Sequence, residues 1–459
     1  MKKIKQELND LISRGLDSNV RIAVTGLSRA GKTAFITSLV NQLTFASTHE
    51  NNLPLLYAAR DGRLIGAKRV PQANMLVPRF AYDEALSALH CEPPRWPEPT
   101  RDVSEVRLSL KYKPTKRYKK LVSQSSVIDI DIIDYPGEWL LDLPLLNLSF
   151  HEWSQEQLQG LKGKRLELAK DWLSALEALD LHAEQNENQL KHISECYTQH
   201  LHQCKQAGLH YVQPGRFVLP GELEGAPVLQ FFPCQFDGSE KMSGSSNLAM
   251  LKRRYEEYQH KVVKVFYKHH FATFDRQIVL VDCLQPLNTG HEAFHDMRSA
   301  LEQVMKSFRY GHSNVLKRLF YPKIDKVLFA ATKADHITPE QHTNLVSLLR
   351  QLVHPAWQTT SYENIDMNCI SLASIKTTQS GFIQTNNETN PAIQGISLEG
   401  DSLTVFPGEV PAKLPSEEYW QRQGFEFTSF RPRPQAPDTP LEHIRVDKAL
   451  EYLIGDKLK

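Results

Sequence analysis

With 459 residues the chain is longer than one compact core can organise, so about three domain-sized units are expected, one of them a large insertion. Lys plus Arg, 54 in all, nearly balance the 53 Asp plus Glu, which excludes a globally basic nucleic-acid binder and an acidic solvating protein. Six cysteines are scattered without a C-x-x-C pair, the N-terminus carries no apolar leader, and no stretch approaches the ~18 uninterrupted apolar residues of a membrane span. The expectation is a cytoplasmic protein with no nucleic-acid partner and at most peripheral membrane contact.

Ile4, Leu8, Leu11 and Ile12 recur at helical spacing before Gly15 and predict an amphipathic N-terminal helix. Val20, Ile22 and Val24 then alternate as a short strand. The next eight residues, Gly26-Leu27-Ser28-Arg29-Ala30-Gly31-Lys32-Thr33, fill every position of G-x-x-x-x-G-K-[ST], and a helix follows from Ala34. Such a loop brings backbone N–H groups of Ser28, Arg29, Ala30, Gly31, Lys32, Thr33 and Ala34 close to phosphate oxygens, with the positive end of the helix behind them. Lys32 would reach the terminal phosphates and Thr33 would ligate Mg2+ through its hydroxyl. A glycine-rich turn that binds nothing would not need all four fixed positions between a strand and a helix.

Residues 51–99 are proline-rich and carry a basic cluster, Lys68, Arg69 and Arg79, so they read as an elaborated connection. Val106, Leu108, Leu110 and Tyr112 alternate with polar residues, as do Ile128, Ile130 and Ile132, and predict two adjacent strands joined by the basic turn Lys113 to Lys120. The second ends in Asp134-Tyr135-Pro136-Gly137. An aspartate there can hold the shell of a Mg2+ ion, and the glycine N–H can bond a γ-phosphate oxygen.

From Glu138 to about Phe274 the pattern is mainly helical. Ser154 to Gln157 has the spacing of a capping box for a helix carrying Leu166, Ala169, Trp172, Leu173 and Leu176, and further helices are expected over 190–204 and 248–270. His192, Cys196, His200 and Cys204 recur every four residues, but ligands spread over three helical turns do not converge on one ion. This inserted domain is the expected contact for a protein partner. Buried parallel strands follow at 277–283, 326–331 and 367–372, with a helix over 292–308. The second runs into Thr332-Lys333-Ala334-Asp335 and the third into Ala373-Ser374-Ile375-Lys376. Residues 377–459 are read as a hairpin-bearing extension, with an alternating run Phe425 to Phe430, closed by a helix from Leu441.

Four of these segments stand in the order found in Ras-like GTPases: the phosphate loop, Pro99-Thr100 before a strand, Asp134 to Gly137 after the next, and Thr332 to Asp335. A carboxylate such as Asp335 accepts the two parallel donors of guanine, N1–H and N2–H, a pair that adenine lacks. Thr332 stands where that class more commonly has asparagine. Lys333 would lie along the base plane, and backbone N–H groups at Ala373 and Ser374 would bond guanine O6.

The whole chain resembles the YcjX-like family of bacterial P-loop GTPases, through GLSRAGKTAFITSLVNQL from Gly26, DYPGEW from Asp134, VDCLQPLNTG from Val281, TKAD from Thr332 and SLASIK from Ser371. The resemblance implies an α/β fold, a Ras-like P-loop domain with a mainly parallel sheet over 1–139 and 275–376. It further implies a helical insertion over 140–274 and a C-terminal α+β extension over 377–459. It implies GTP or GDP as ligand, GTP as substrate, Mg2+ as cofactor held by Thr33, Thr100 and Asp134, and an association with bacterial stress. Lys32, Arg29, Thr100, Gly137 and Glu138 are the residues expected to act at the γ-phosphate, with slow turnover because Glu138 stands where a water-orienting glutamine is common. A nucleotide-stabilised scaffold with negligible turnover is the alternative.

Overall fold

The computed structural model describes residues 19–49, 51–99, 101–115, 124–238, 244–307, 324–361, 365–385, 388–422 and 424–459. The expected N-terminal helix, Thr100 and most of the turn at 113–120 lie outside them. The alternation at Val20 becomes strand β1 (Asn19–Gly26), which sits inside a seven-stranded sheet with β2 (Leu64–Val70), β3 (Ser104–Tyr112), β4 (Ser126–Asp134), β5 (Arg276–Val281), β6 (Lys326–Ala331) and β7 (Asp366–Ser371). The order is β2-β3-β4-β1-β5-β6-β7, and of these seven strands β3 alone runs against the rest. Every residue of β5 and all but the first of β6 are buried, as a parallel strand covered on both faces requires.

Helix α1 (Lys32–Phe45) follows the phosphate loop and is buried continuously from Ala34 to Leu43, so it forms part of the core rather than a surface stripe. Leu39, Leu43, Ile22, Ile130, Leu280 and Leu328 belong to one hydrophobic cluster with Leu450 and Leu453 of the final helix, Val446–Ile454. That last helix is fixed electrostatically as well. Arg276 makes two 2.6 Å bonds to the Asp456 carboxylate, and Lys326 adds a third contact at 3.1 Å. Burial alone would raise the Asp456 carboxyl, but these two cations hold it at about 2.

Six strands were expected in the main sheet and seven are found. The additional one, β2, lies in the stretch read as a connection. It is an edge strand, largely exposed, with a register irregularity between Leu64 and Gly66, so it has none of the alternation that marks a half-buried strand. The same stretch contains a helix, Tyr82–His90, that buries Tyr82, Ala85 and Leu89.

A charged cluster lies along β1, β3 and β4. Arg107 clamps Asp131 through contacts of 2.5 and 2.8 Å, and Glu105 is buried 3.9 Å from the Arg21 guanidinium. Burial first, and the Asp131 charge second, push the Glu105 carboxyl up to about 7 against the pull of Arg21 and Arg107. For a carboxyl whose folded pKa is raised, the contribution to stability is full below the unfolded value of 4.5 and is lost as pH rises through 7. The melting temperature is therefore expected to fall between about pH 5 and pH 8, and Glu105→Gln, which cannot ionise, should remove about 2 kcal/mol of that slope. Parallel melting curves of the two proteins across this range check it.

The chain separates into two compact units. One takes the described residues up to Tyr135, Phe274–Asn288 and those from Pro322 onward; the other takes Pro136–Thr273 and the described part of Thr289–Tyr321. The helix His291–Ser307 therefore belongs with the helical unit, whereas the pattern had it between two strands of the nucleotide domain. Its Glu292 accepts from Lys164 N–H at 2.8 Å, and its Asp296 pairs with Arg165 at 2.6 Å and accepts from Tyr211 N–H at 2.8 Å.

Within that unit the capping box is Ser149 with Glu152, five residues before the expected one, and it starts the helix Phe150–Gln159. The expected single helix is found as three short ones, the others being Gly163–Glu167 and Lys170–Glu177, and Gly160 and Gly163 mark the first of the two breaks. The expected helices over 190–204 and 248–270 are found as Glu187–Gln206 and as Asn247–Glu257, continued by a π-helical segment Tyr258–Val263 and a last α-helical turn Lys264–His269. In the C-terminal extension the hairpin is made by β8 (Gln379–Thr385) and β9 (Glu388–Ile396), with β10 (Ser402–Val405) beside β9. The run Phe425 to Phe430 forms no strand and contributes a single bridge, Phe430 to Ser397.

Candidate nucleotide site

The turn that follows β1 is shaped by two glycines and one arginine. A Cβ on Gly26 would lie 2.7 Å from the Leu280 carbonyl oxygen, so the close approach of β5 requires glycine there. Gly31 caps α1 at φ 82° and Arg29 sits at φ 62°, and such left-handed residues within a turn fold successive N–H groups toward one point, an anion-binding nest. Phe35 N–H bonds the Gly31 carbonyl at 2.9 Å and so starts the helix directly behind the loop. Arg29 is exposed and Lys32 half-buried, and neither is in an ion pair among the described residues. The Thr33 hydroxyl donates to the Glu98 carbonyl at 3.1 Å. Asp134 ends β4 opposite Val24 of β1 and is fully buried. Thr33 and Asp134 offer hard oxygen donors, a set that suits Mg2+ and not a soft transition metal.

Beyond β6, Thr332 N–H bonds the Val281 carbonyl at 2.9 Å, and Lys333 adopts φ 58°. The Lys333 ammonium, whose stem is expected along the base plane, is paired with Asp282 at 2.5 Å. Burial works against the Asp282 charge, but the Lys333 ammonium outweighs it and holds the carboxyl below its ordinary range. Asp335 is buried, and its Oδ2 accepts from both the N–H and the hydroxyl of Thr377 at 2.6 Å. Asp282 and Thr377 were not singled out from the sequence. Asp282 stands at the carboxyl end of a parallel strand, where open α/β sheets place ligand-binding residues, and that position was its one available signal.

Ala373 N–H is committed to the Ile444 carbonyl at 3.0 Å, so of the two groups assigned to guanine O6 the Ser374 N–H is the one left for that bond. These segments surround one cavity of about 480 Å³, lined by Arg29 to Ala34, by Thr332, Lys333 and Asp335, and by Ala373 to Ile375. Neither Ser28 nor Asp134 is on its wall. A space of that size, with a few convergent polar groups in an otherwise apolar lining, is typical of sites for nucleotide-sized ligands.

Gly137 and Glu138 fall in the helical unit, where they open the 3-10 segment Gly137–Asn147. Glu138 is buried and paired with Lys205 at 2.7 Å, and the glycine at 215 is needed because a Cβ there would overlap the Glu138 carbonyl. Asp142 in the same segment accepts from Tyr258 at 2.5 Å and from Gly215 N–H at 2.8 Å, and burial pushes its carboxyl up to about 6. On the helix Glu187–Gln206, His192 is exposed while His200 and Cys204 are buried, and burial lowers His200 to about 4. The described residues contain no group of three or more His, Cys, Asp or Glu placed to hold a metal, and no helix long and apolar enough to cross a membrane.

The chain matches the profile of the YcjX-like family over residues 20–458. It is 53% identical over 467 aligned residues to the Ras-like GTPase YcjX of Escherichia coli, with both chains covered in full. A protein of the same description from Shewanella oneidensis is 43% identical over 476 aligned residues, which cover 100% of this chain and 98% of that one.

Proposed function

The chain belongs to the YcjX-like family, and from that premise we propose that it binds GTP and GDP, hydrolyses GTP slowly and acts as a nucleotide-dependent switch. The observation that carries this is the single cavity lined by the phosphate loop, by Asp335 and by Ser374. Phosphate oxygens are taken by the loop N–H groups and by Lys32, and the guanine edge by Asp335 and Ser374 N–H. Mg2+, when bound, supplies charge neutralisation across the phosphates, and Thr33 and Asp134 are the residues suited to hold it with Thr100. Hydrolysis moves the γ-phosphoryl group to water and releases GDP and phosphate.

The Lys205 contact holds the Glu138 carboxylate, the group expected to orient water, inside the helical unit, and this supports low intrinsic turnover. The same contact favours a second reading, a scaffold stabilised by nucleotide with negligible hydrolysis. The segment that starts at Gly137 is built into the helical unit, which supports that unit as the reporter of nucleotide state to a protein partner in a bacterial stress response.

Single-turnover hydrolysis of GTP, with ATP in competition, tests the reading. Guanine preference with measurable release of phosphate is expected, and equal binding of adenine nucleotides would sink it. Thr100→Ala and Arg29→Ala should each slow hydrolysis by about 100-fold while GDP affinity stays within a few-fold of wild type, because both act on the γ-phosphate. Unchanged hydrolysis in Thr100→Ala would remove that residue as the switch threonine.

A further inference from the structure

The four GTPase segments leave part of the cavity wall unaccounted for, and the large apolar side chains of that part are Trp96, Leu398 and Phe430. The last two belong to the C-terminal extension. Phe430 is 1% exposed and meets the His336 ring edge-on at 5.3 Å, next to Asp335. Its carbonyl accepts the Trp96 indole N–H at 3.1 Å, and its bridge to Ser397 fixes the residue before Leu398. A Cβ on Gly395 would lie 2.6 Å from the Phe430 ring, so the β9 strand has glycine where the ring must enter. Phe430 thus positions two residues that are themselves open to the cavity and to solvent, Trp96 at 38% exposure and Leu398 at 57%.

A purine presents polar atoms at its edge and apolar faces above and below. Asp335 addresses the edge, and a base left with bare faces would gain little from leaving water. We propose that Trp96 and Leu398, seated by Phe430, form the apolar wall on which the guanine base packs, so that nucleotide binding and docking of the C-terminal extension are linked. This rests on the reading of the cavity as a guanine nucleotide site. The linkage is reciprocal: whatever the docked extension adds to nucleotide affinity, bound nucleotide adds to docking.

The test compares GDP with inorganic tripolyphosphate, which has the charge but no base, in the wild type and in the double variant Trp96→Ala/Leu398→Ala. Both side chains are partly exposed, so the variant is expected to fold. GDP affinity should fall about ten-fold, the ordinary consequence of removing an aromatic or apolar partner from a base, with tripolyphosphate affinity unchanged. In the wild type, GDP should also slow proteolysis within residues 398–430. Equal GDP affinity in the two proteins, or a parallel loss for both ligands, overturns the wall while leaving the nucleotide site intact. Wild-type protein that binds tripolyphosphate but no GDP removes the guanine reading itself, and the wall with it.

Discussion

Lys32→Ala is expected to lower GDP affinity by about 100-fold or more, the cost of losing a charge-assisted contact to phosphate inside a partly closed site. Lys32 lines the cavity, half-buried, and is in no ion pair among the described residues, so its removal leaves no buried partner uncompensated and the unliganded fold should be unaffected. The two effects separate in a melting experiment. At a GDP concentration about 100 times the wild-type dissociation constant, ligand binding stabilises the wild type by about 2.7 kcal/mol; in the variant the increment should nearly vanish, with equal melting temperatures in the absence of nucleotide. A variant that keeps the full GDP-dependent increment removes the phosphate-loop assignment, whatever the relatives do.

The phosphate loop was legible in the sequence because its chemistry is local: the spacing of Gly26, Gly31, Lys32 and Thr33 is the geometry of one turn, and flanking periodicities announce the strand and the helix. Strands β1 and β3 to β7 were legible for a similar reason, since burial imposes a pattern on each. What escaped is what depends on contacts distant in the chain. The edge strand β2 buries too little to show a pattern. The ammonium of Lys333 finds Asp282, 51 residues earlier, and Gln42 reaches the Leu441 carbonyl across 399 residues; no spacing encodes either. Glu138 follows Gly137 directly and is expected at the γ-phosphate on that ground, whereas its pairing with Lys205 depends on a helix 67 residues away that the sequence alone does not orient. The expected helix starting at Ser154 failed for a local reason. Two S-x-x-E/Q spacings follow one another there, and the earlier one, Ser149 to Glu152, is preceded by a 3-10 segment that ends in extended backbone, leaving Ser149 as the N-cap.

The substitution Asp335→Asn should exchange the base preference of the site, and the geometry around Thr377 says why. Oδ2 of Asp335 is held by two donors, the Thr377 N–H and hydroxyl, both at 2.6 Å. An asparagine side chain must present its carbonyl oxygen to those donors, because an NH2 group turned toward them would face two hydrogens in a buried setting. Its amide nitrogen is therefore forced into the position now held by Oδ1. That position then donates where it had accepted. Guanine offers the N2 amino group, a donor, and is repelled; xanthine offers a C2 carbonyl, an acceptor, and is satisfied. GTP affinity should fall by about 100-fold, and XTP affinity should rise by a similar factor, since each change makes or breaks a hydrogen bond in a desolvated site. Adding Thr377→Ala to Asp335→Asn removes the hydroxyl that helps fix the amide and should return part of the GTP affinity, because the side chain can then turn over. Wild-type discrimination between GTP and XTP in Asp335→Asn would mean that this segment does not read the base at all.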